Sequence, residues 1–246
     1  MEGIGKNSVY HKNDPVYFED KEYTDPKEYF KVVVNMIRSV YKNDPLSLID
    51  VGCAAGGFIY YARRKLNLDR TVGIDISDMH LHQARRYMPD VDFVIGSIED
   101  PSLKTLGMFD VCTCLGTLAI FDDIEEILDT LLSLINKGGY LYIFDVVNDY
   151  PVDMLMKYRT VQNEQGSGWQ AGFNVRSIET YRKLFEARGI DAELNWVDFE
   201  MPFEIHKTPD PMRSWTMQTE YKKHQIVVGT GQLLDFKILC IRKVSY

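Results

Sequence analysis

Several marks of specialised protein classes are scarce in this 246-residue chain. It has four cysteines, Cys53, Cys112, Cys114 and Cys240, and none forms a CxxC pair. They sit inside apolar runs, where a thiol behaves as a small buried hydrophobe, so neither a disulfide framework nor a metal knuckle is expected. No apolar run approaches the roughly 18 residues that a membrane span needs. The opening stretch MEGIGKNSVYHKNDP has no apolar signal core. A cytoplasmic protein with no membrane partner is the expectation. Basic residues are also short, with 28 lysines and arginines against 36 acids and a formal net charge of −8. Neutralising phosphates takes a basic face, so nucleic acid is not an expected partner. Internal repeats and low-complexity tracts are missing too.

What is present is the balance of a globular protein: 45% hydrophobic and 26% charged residues. The length predicts one domain. Within it, residues 1–45 form a polar and aromatic N-terminal cap, 46–148 a regular half, and 149–246 an elaboration. The cap holds one amphipathic helix, Pro26–Tyr41. From Leu46 strands and helices alternate. LSLIDV, TVGIDI, VDFVIG, MFDVCTCL and YLYIFDVV read as strands. Gly56–Asn67, Asp78–Met88 (capped by Ser77) and Asp122–Asn136 read as helices, the last ended by Lys137-Gly138-Gly139. Such alternation predicts a parallel sheet with helices on both faces. Beyond Asn148 come a long loop with a short helix over DMLMKYR, a helix over Ser177–Arg188, and a sixth strand, AELNWVDFEM. An irregular insertion with a hairpin (SWTMQTEY with HQIVVG) and a last strand, LLDFKILCIRK, follow.

The segment richest in chemistry is Ile49-Asp50-Val51-Gly52-Cys53-Ala54-Ala55-Gly56-Gly57-Phe58, a small-residue turn between a strand and a helix. Small residues there let a ligand approach the main chain, and the helix start offers free N–H groups. Two ligands suit it: a dinucleotide, or S-adenosylmethionine. Both require an acid at the end of the second strand to take the ribose hydroxyls, and Asp75 stands there. Three features favour S-adenosylmethionine. Asp50 puts a carboxylate where a diphosphate would be repelled and an ammonium or sulfonium welcomed. Gly96-Ser97-Ile98 ends the third strand as an adenine clamp would. The chain also closes on a sixth and seventh strand rather than on another pair of helix-linked ones.

In LIDVGCAAGGF, VGIDIS, VIGSIED, FDVCTCLGTLAIFDD and KGGYLYIFDV, taken in that order, the chain resembles the class I S-adenosylmethionine-dependent methyltransferases over roughly residues 46–146. The resemblance implies a Rossmann-like, seven-stranded, mostly parallel sheet. Its last strand would be antiparallel, with an N-terminal helical lid and an insertion between strands 6 and 7. It implies that Asp50, Gly52, Cys53, Ala54 and Gly56 surround the methionine end of the cofactor, whose product form is S-adenosylhomocysteine. Asp75 would hold the ribose, and Ile76, Ser97 and Ile98 the adenine. Leu115 would offer its carbonyl to the ammonium. Ala54 departs from the family's second glycine and Ser97 from its common acid. Leu115-Gly116-Thr117-Leu118 lacks both the Asn-Pro-Pro-Tyr signature of nucleic-acid and amine methylators and the acid of metal-dependent members, so no catalytic metal is expected.

Methyl transfer is an in-line displacement in which alignment supplies much of the acceleration, and a hydroxyl acceptor also needs a base. His206, Asp145, Asp149, Tyr10 and His11 are the base candidates. Tyr150, Arg159, Trp169, Asn174 and Arg213 are the acceptor-binding candidates, aromatics suiting a sugar ring and arginines an attached phosphate or carboxylate. Around YPVDMLMKYR, WQAGFNVRS and DPMRSWT the chain resembles methyltransferases of bacterial polysaccharide and sugar-nucleotide pathways. That implies a small-molecule partner, a carbohydrate hydroxyl. The alternatives are a small amine or amino sugar, a nicotinamide-dependent oxidoreductase, and a nucleoside-binding protein without catalysis. A homodimer is compatible with the sequence.

Overall fold

The structure is a computed structural model that describes residues 21–148, 151, 153–159, 169–172, 174–188, 192–198, 215–217, 225–228, 232–234 and 236–244. Its elements run α1 (Lys21–Thr24), α2 (Glu28–Tyr41), β1 (Leu46–Val51), α3 (Gly57–Arg63), β2 (Leu68–Asp75), α4 (Asp78–Tyr87), β3 (Asp92–Ile95), β4 (Phe109–Leu115), α5 (Glu125–Ser133) and β5 (Ile135–Asn148). Then come β6 (Lys157–Tyr158), β7 (Gln170–Ala171), β8 (Arg176–Ser177), α6 (Ile178–Ala187), β9 (Ala192–Asp198), β10 (Trp215–Met217), β11 (Gln225–Val228), β12 (Gln232–Leu234) and β13 (Phe236–Lys243). Short 3-10 turns at Pro101–Leu106 and Leu118–Ile120 flank β4.

The main sheet follows the order β3-β2-β1-β4-β5-β13-β9, with β8 paired to the end of β5. Strands β1 to β5 pair in parallel, and β13 runs antiparallel to both β5 and β9. The chain therefore starts in the middle of the sheet, builds outward through β2 and β3, and returns to β4. The strand order reverses between β1 and β4, and in open parallel sheets that reversal leaves a crevice beyond the strand C-termini.

Side-chain alternation divides the interior in two. Leu48, Val111, Tyr142, Phe144 and Ile238 face α2, α3 and α4, where Val33, Ile37, Phe58, Ile59 and Leu81 meet them. Ile49, Cys112, Cys114, Ile143 and Leu239 face α5 and α6, against Leu128, Leu131, Tyr181 and Phe185. Each fully buried aliphatic side chain contributes roughly 1.5–3 kcal/mol, so the two layers fix the sheet from both sides. Ser77 and Ser177 cap α4 and α6, accepting from the His80 and Thr180 amides at 3.3 and 3.0 Å.

Three expected boundaries move. The helix expected over 122–136 is shorter, and β5 already begins at Ile135, ahead of the glycine pair. Gly138 adopts φ +80°, a Cβ on Gly139 would lie 2.8 Å from the Asp110 carbonyl, and the β4–β5 register shifts there. The pair makes a bulge inside the strand instead of a helix stop. The segment DMLMKYR is extended, because Met154 bridges Val175 and Lys157 pairs with Ala171. The insertion hairpin is present as β10–β11, and β12, expected as part of the last strand, adds a third strand to it.

Candidate active site

The crevice beyond β1, β2 and β4 is built mainly of main chain. Gly52 leaves β1 at φ +80°, and its amide and that of Cys53 both donate to the Ile74 carbonyl, at 2.8 and 2.9 Å. The Gly56 amide donates to Cys53, closing the turn at 2.8 Å. Asp75, at the end of β2, receives the Ala54 amide on one carboxylate oxygen and the Ser77 amide on the other, both at 2.9 Å. His80 lies behind it, with Nδ1 3.7 Å from that second oxygen. Asp75 thus ties the glycine turn to the start of α4. Its side chain keeps 13% exposure, and each oxygen retains a lone pair beyond its amide bond.

Four turn amides, those of Gly52, Cys53, Ala54 and Gly56, are already bonded within the protein. Those four are closed to a diphosphate, which leaves the uncapped first turn of α3 as the donor set. Asp50 lies buried under the turn at 3% exposure, accepts a 2.6 Å bond from the Thr113 hydroxyl, and has its carboxyl pushed up to about 7. Burial is the main cause, the Asp75 charge adds to it, and the Thr113 bond opposes it. A cationic ligand above it would favour the ionised form.

Ala54 stands at φ +47°, a left-handed conformation for a residue that has a Cβ. Gly52, Ala54, Ile76 and Ser97 are partly exposed and Gly116 is exposed, at or just beyond the C-terminal ends of four strands. The Ser97 hydroxyl accepts the Glu99 amide at 3.2 Å and shapes the turn after β3. Leu115 packs its side chain toward α2, and the following Gly116 amide donates to the Phe144 carbonyl at 2.8 Å. A nucleoside bearing an amino-acid tail fits this set: a carboxylate for its hydroxyls, partly open apolar positions for its base, and buried negative charge beneath the tail.

Four of the expected site residues are engaged by packing within the protein. Gly56 is buried against α4, and a Cβ there would come 2.8 Å from Met88 Cε, so its lack of a side chain also serves helix packing. The Cys53 thiol is buried and turned onto the Ala54 carbonyl at 3.6 Å. Ile98 belongs to the core with Leu103 and Ile74. Asn174 is fully buried, and its amide is spent within the protein: Oδ1 accepts from Met156 N at 2.8 Å, and Nδ2 donates to Phe121 O and Asp122 Oδ1 at 2.8 and 3.1 Å. Asp145 is buried on the α6 side of β5, accepts from its own Val146 amide and from the Tyr181 hydroxyl, and faces Arg176. Burial pushes its carboxyl up to about 7 against those favourable partners. Arg159 and Trp169 come together across the β6–β7 ribbon, the guanidinium 5.2 Å from the ring, with Trp169 63% exposed. Tyr10, His11, Asp149, Tyr150, His206 and Arg213 lie outside the described residues.

Several residues at the site carried no sequence signal of their own. Tyr23 donates to the Ala55 carbonyl at 2.6 Å and stacks on Tyr87, so α1 docks on the glycine turn. Tyr29 stacks on Phe144 at 4.2 Å, carrying α2 to the end of β5. Thr117 lies directly over Gly52: a Cβ added to that glycine would sit 2.3 Å from Thr117 Oγ1. Thr113 alone had a readable mark, a hydroxyl in the middle of the apolar run FDVCTCL. Among the described residues no group of three or more histidine, cysteine, aspartate or glutamate side chains is placed to hold a metal ion. No helix among them is long and apolar enough to cross a membrane.

Comparison with known proteins agrees with this geometry. Residues 13–194 match the family described as "Methyltransferase domain". A trans-aconitate 2-methyltransferase of Enterobacter sp. (strain 638) is 26% identical over 160 residues, covering 65% of this chain and 62% of the relative, so the chain spans less than two thirds of that protein's length. Among solved structures, one from a complex of the Haloferax volcanii Trm112 methyltransferase activator with a methyltransferase aligns at TM-score 0.63 and 15% identity, covering 97% of this chain and 99% of that one. SAM-bound CalS10, an amino pentose methyltransferase from Micromonospora echinaspora, aligns at TM-score 0.54 and 17% identity, covering 93% and 96%. At such identities these two likenesses concern the fold.

Proposed function

The chain belongs to the methyltransferase domain family, and from that premise we propose that it transfers a methyl group from S-adenosylmethionine to a small-molecule acceptor. The observation that carries this reading is Asp75. Its carboxylate closes the glycine turn through the Ala54 amide and stays 13% exposed at the end of β2, next to the strand-order reversal. In this reading Asp75 holds the ribose and Ile76 and Ser97 border the adenine. The amino-acid tail passes over Gly52 and Ala54 toward the Leu115 carbonyl, with Asp50 below as a buried counter-charge. The cofactor supplies an electrophilic methyl on a sulfonium. The chain supplies alignment and shielding from water.

The acceptor is a carbohydrate hydroxyl, of a sugar, sugar nucleotide or cell-envelope precursor. The exposed Arg159–Trp169 pair supports it, because an indole face takes a sugar ring and a guanidinium takes an attached phosphate. A second reading, a free carboxylate as acceptor, is favoured by the same guanidinium and by the aconitate-methylating relative. The two differ in proton chemistry. A hydroxyl must lose its proton as the bond forms, whereas a carboxylate is ionised at neutral pH and needs no base. In the hydroxyl case the base comes from Asp145, Asp149, His206 or Tyr10. Asp145, enclosed by Val146 and Tyr181, would have to be uncovered to serve.

The test is incubation with methyl-labelled S-adenosylmethionine and two panels, sugar nucleotides and di- and tricarboxylic acids, read by mass spectrometry. Label on a sugar hydroxyl supports the first reading and a methyl ester the second. Calorimetry separates both from an oxidoreductase: S-adenosylhomocysteine binds and NADH does not. The reverse result would refute methyl transfer.

A further inference from the structure

The loop after β4 is held from the far side of the site. Thr117 begins this loop and covers Gly52, and the 3-10 turn Leu118–Ile120 and Phe121-Asp122 complete it. Every carbonyl from Leu118 to Phe121 except that of Ile120 is gripped by the segment leading into α6. The Asn174 amide N–H donates to Ala119 O at 2.7 Å, and its side chain donates to Phe121 O at 2.8 Å. Arg176 donates through Nη1 to Leu118 O at 3.3 Å and through Nη2 to Phe121 O. Arg176 is 4% exposed and Asn174 is fully buried. The same Asn174 receives the Met156 amide and so anchors the ribbon that carries Arg159 and Trp169. Lys157, on that ribbon, reaches both carboxylate oxygens of Asp122, at 2.7 and 2.6 Å.

Buried guanidinium groups are costly unless paired and bonded. Arg176 has the buried carboxylate of Asp145 facing it and two main-chain acceptors ahead of it. A cation is thus buried in order to bind carbonyls of one loop, although a shorter polar side chain could cap a 3-10 turn at less cost. We propose that Arg176, with Asn174, is a positioning residue for methyl transfer. The clasp holds the loop from Thr117 to Asp122 over the glycine turn, and so fixes the bed of the cofactor's amino-acid tail to the same ribbon that meets the acceptor. This rests on the placement of the tail proposed above. Residues that order the tail do so without touching it, and the acceptor side and cofactor side move as one body.

The experiment compares two ligands that share a nucleoside. S-adenosylhomocysteine carries the amino-acid tail, and 5′-methylthioadenosine lacks it. Calorimetry on wild type, Arg176→Met, Arg176→Lys and Asn174→Ala gives the ratio of the two affinities. Arg176→Lys keeps a charge opposite Asp145 but has one nitrogen where the guanidinium uses two, so it is the variant to read if Arg176→Met fails to fold. The expected result is a loss of about tenfold or more in S-adenosylhomocysteine affinity for the Arg176 variants, less for Asn174→Ala, with methylthioadenosine affinity within about twofold of wild type. A parallel loss of both ligands, or no loss of either, would overturn the clasp, because a general loosening of the fold does not single out the tail. Wild-type protein that binds the two ligands equally tightly would overturn the tail placement itself, a result distinct from any change among the variants.

Discussion

The two ends of the crevice are made of different material. At the nucleoside end the contacts are mostly main-chain ones: four turn amides, two carbonyls, and a single carboxylate that ties Ala54 to Ser77. At the opposite end the loop after β4 is held by side chains, Asn174 and Arg176, reaching back 52 and 58 residues to Asp122 and Leu118. The first kind of construction needs small residues at fixed local spacing. The second needs only one amide or guanidinium delivered to the right place by the packing of α6. The nucleoside end therefore tolerates little change in backbone shape, and the far end little change in side-chain length.

That contrast can be broken most forcefully at Gly52. Gly52→Ala places a Cβ at φ +80° and 2.3 Å from Thr117 Oγ1. Left-handed strain and overpacking together should cost about 3 kcal/mol in a denaturant titration and abolish S-adenosylhomocysteine binding. A wild-type midpoint would mean that the turn is not rigid. Asp75→Ala comes next. It removes the acceptor for the Ala54 and Ser77 amides and the proposed ribose partner. Calorimetry should show S-adenosylhomocysteine affinity reduced tenfold or more, about 1.4 kcal/mol; unchanged affinity would remove Asp75 from the site.

Acidity sharpens the comparison in another way, since each end of the crevice has one buried carboxyl raised from 3.8 to about 7, Asp50 near the turn and Asp145 under Arg176. Between those values the folded chain holds protons that the unfolded chain has released. The stability tied to the neutral carboxyls is complete below about pH 4 and is lost as pH rises through about 7. The melting temperature of the ligand-free protein should decline from about pH 5 to pH 8. Asp110 and Asp122 shift the opposite way, held down by Ser47 and by Lys157, so their contribution is lost only in stronger acid and leaves that window clear. Asp50→Asn should flatten part of the decline; an unaltered slope would assign it to other groups. The smallest effect is expected at Ala54. Ala54→Gly relieves φ +47° but adds freedom to the unfolded chain. The two terms nearly offset, leaving a gain of about 0.5 kcal/mol in thermal unfolding. A loss instead would show that the methyl packs usefully.

Strand and helix order from Leu46 to Val147 was readable because the strands are short apolar runs and the longer helices between them carry one apolar stripe. The capping roles of Ser77 and Ser177 were readable for the same local reason. The local geometry of the candidate site, the turn at Gly52 and Ala54 and the acid at Asp75 that closes it, was legible because it depends on near neighbours. Spacing gave no sign of what packing asks of the other residues. Gly56 faces Met88, Ile98 enters the core, and Asn174 spends its amide on Phe121 and Asp122. Nor could spacing reveal that Arg176 grips a loop, since its partners are carbonyls that every residue possesses.

Local pattern was enough to specify the alternation of strands and helices, the small-residue turn and the acid at the end of the second strand, because each depends on neighbours within a few residues along the chain. The division of carboxylates into one partly exposed and two buried, the seating of Thr117 over Gly52, and the clasp from Asn174 and Arg176 were settled by packing in three dimensions. Burial, and the hydrogen bonds that compensate it, depend on which distant segments the sheet brings together.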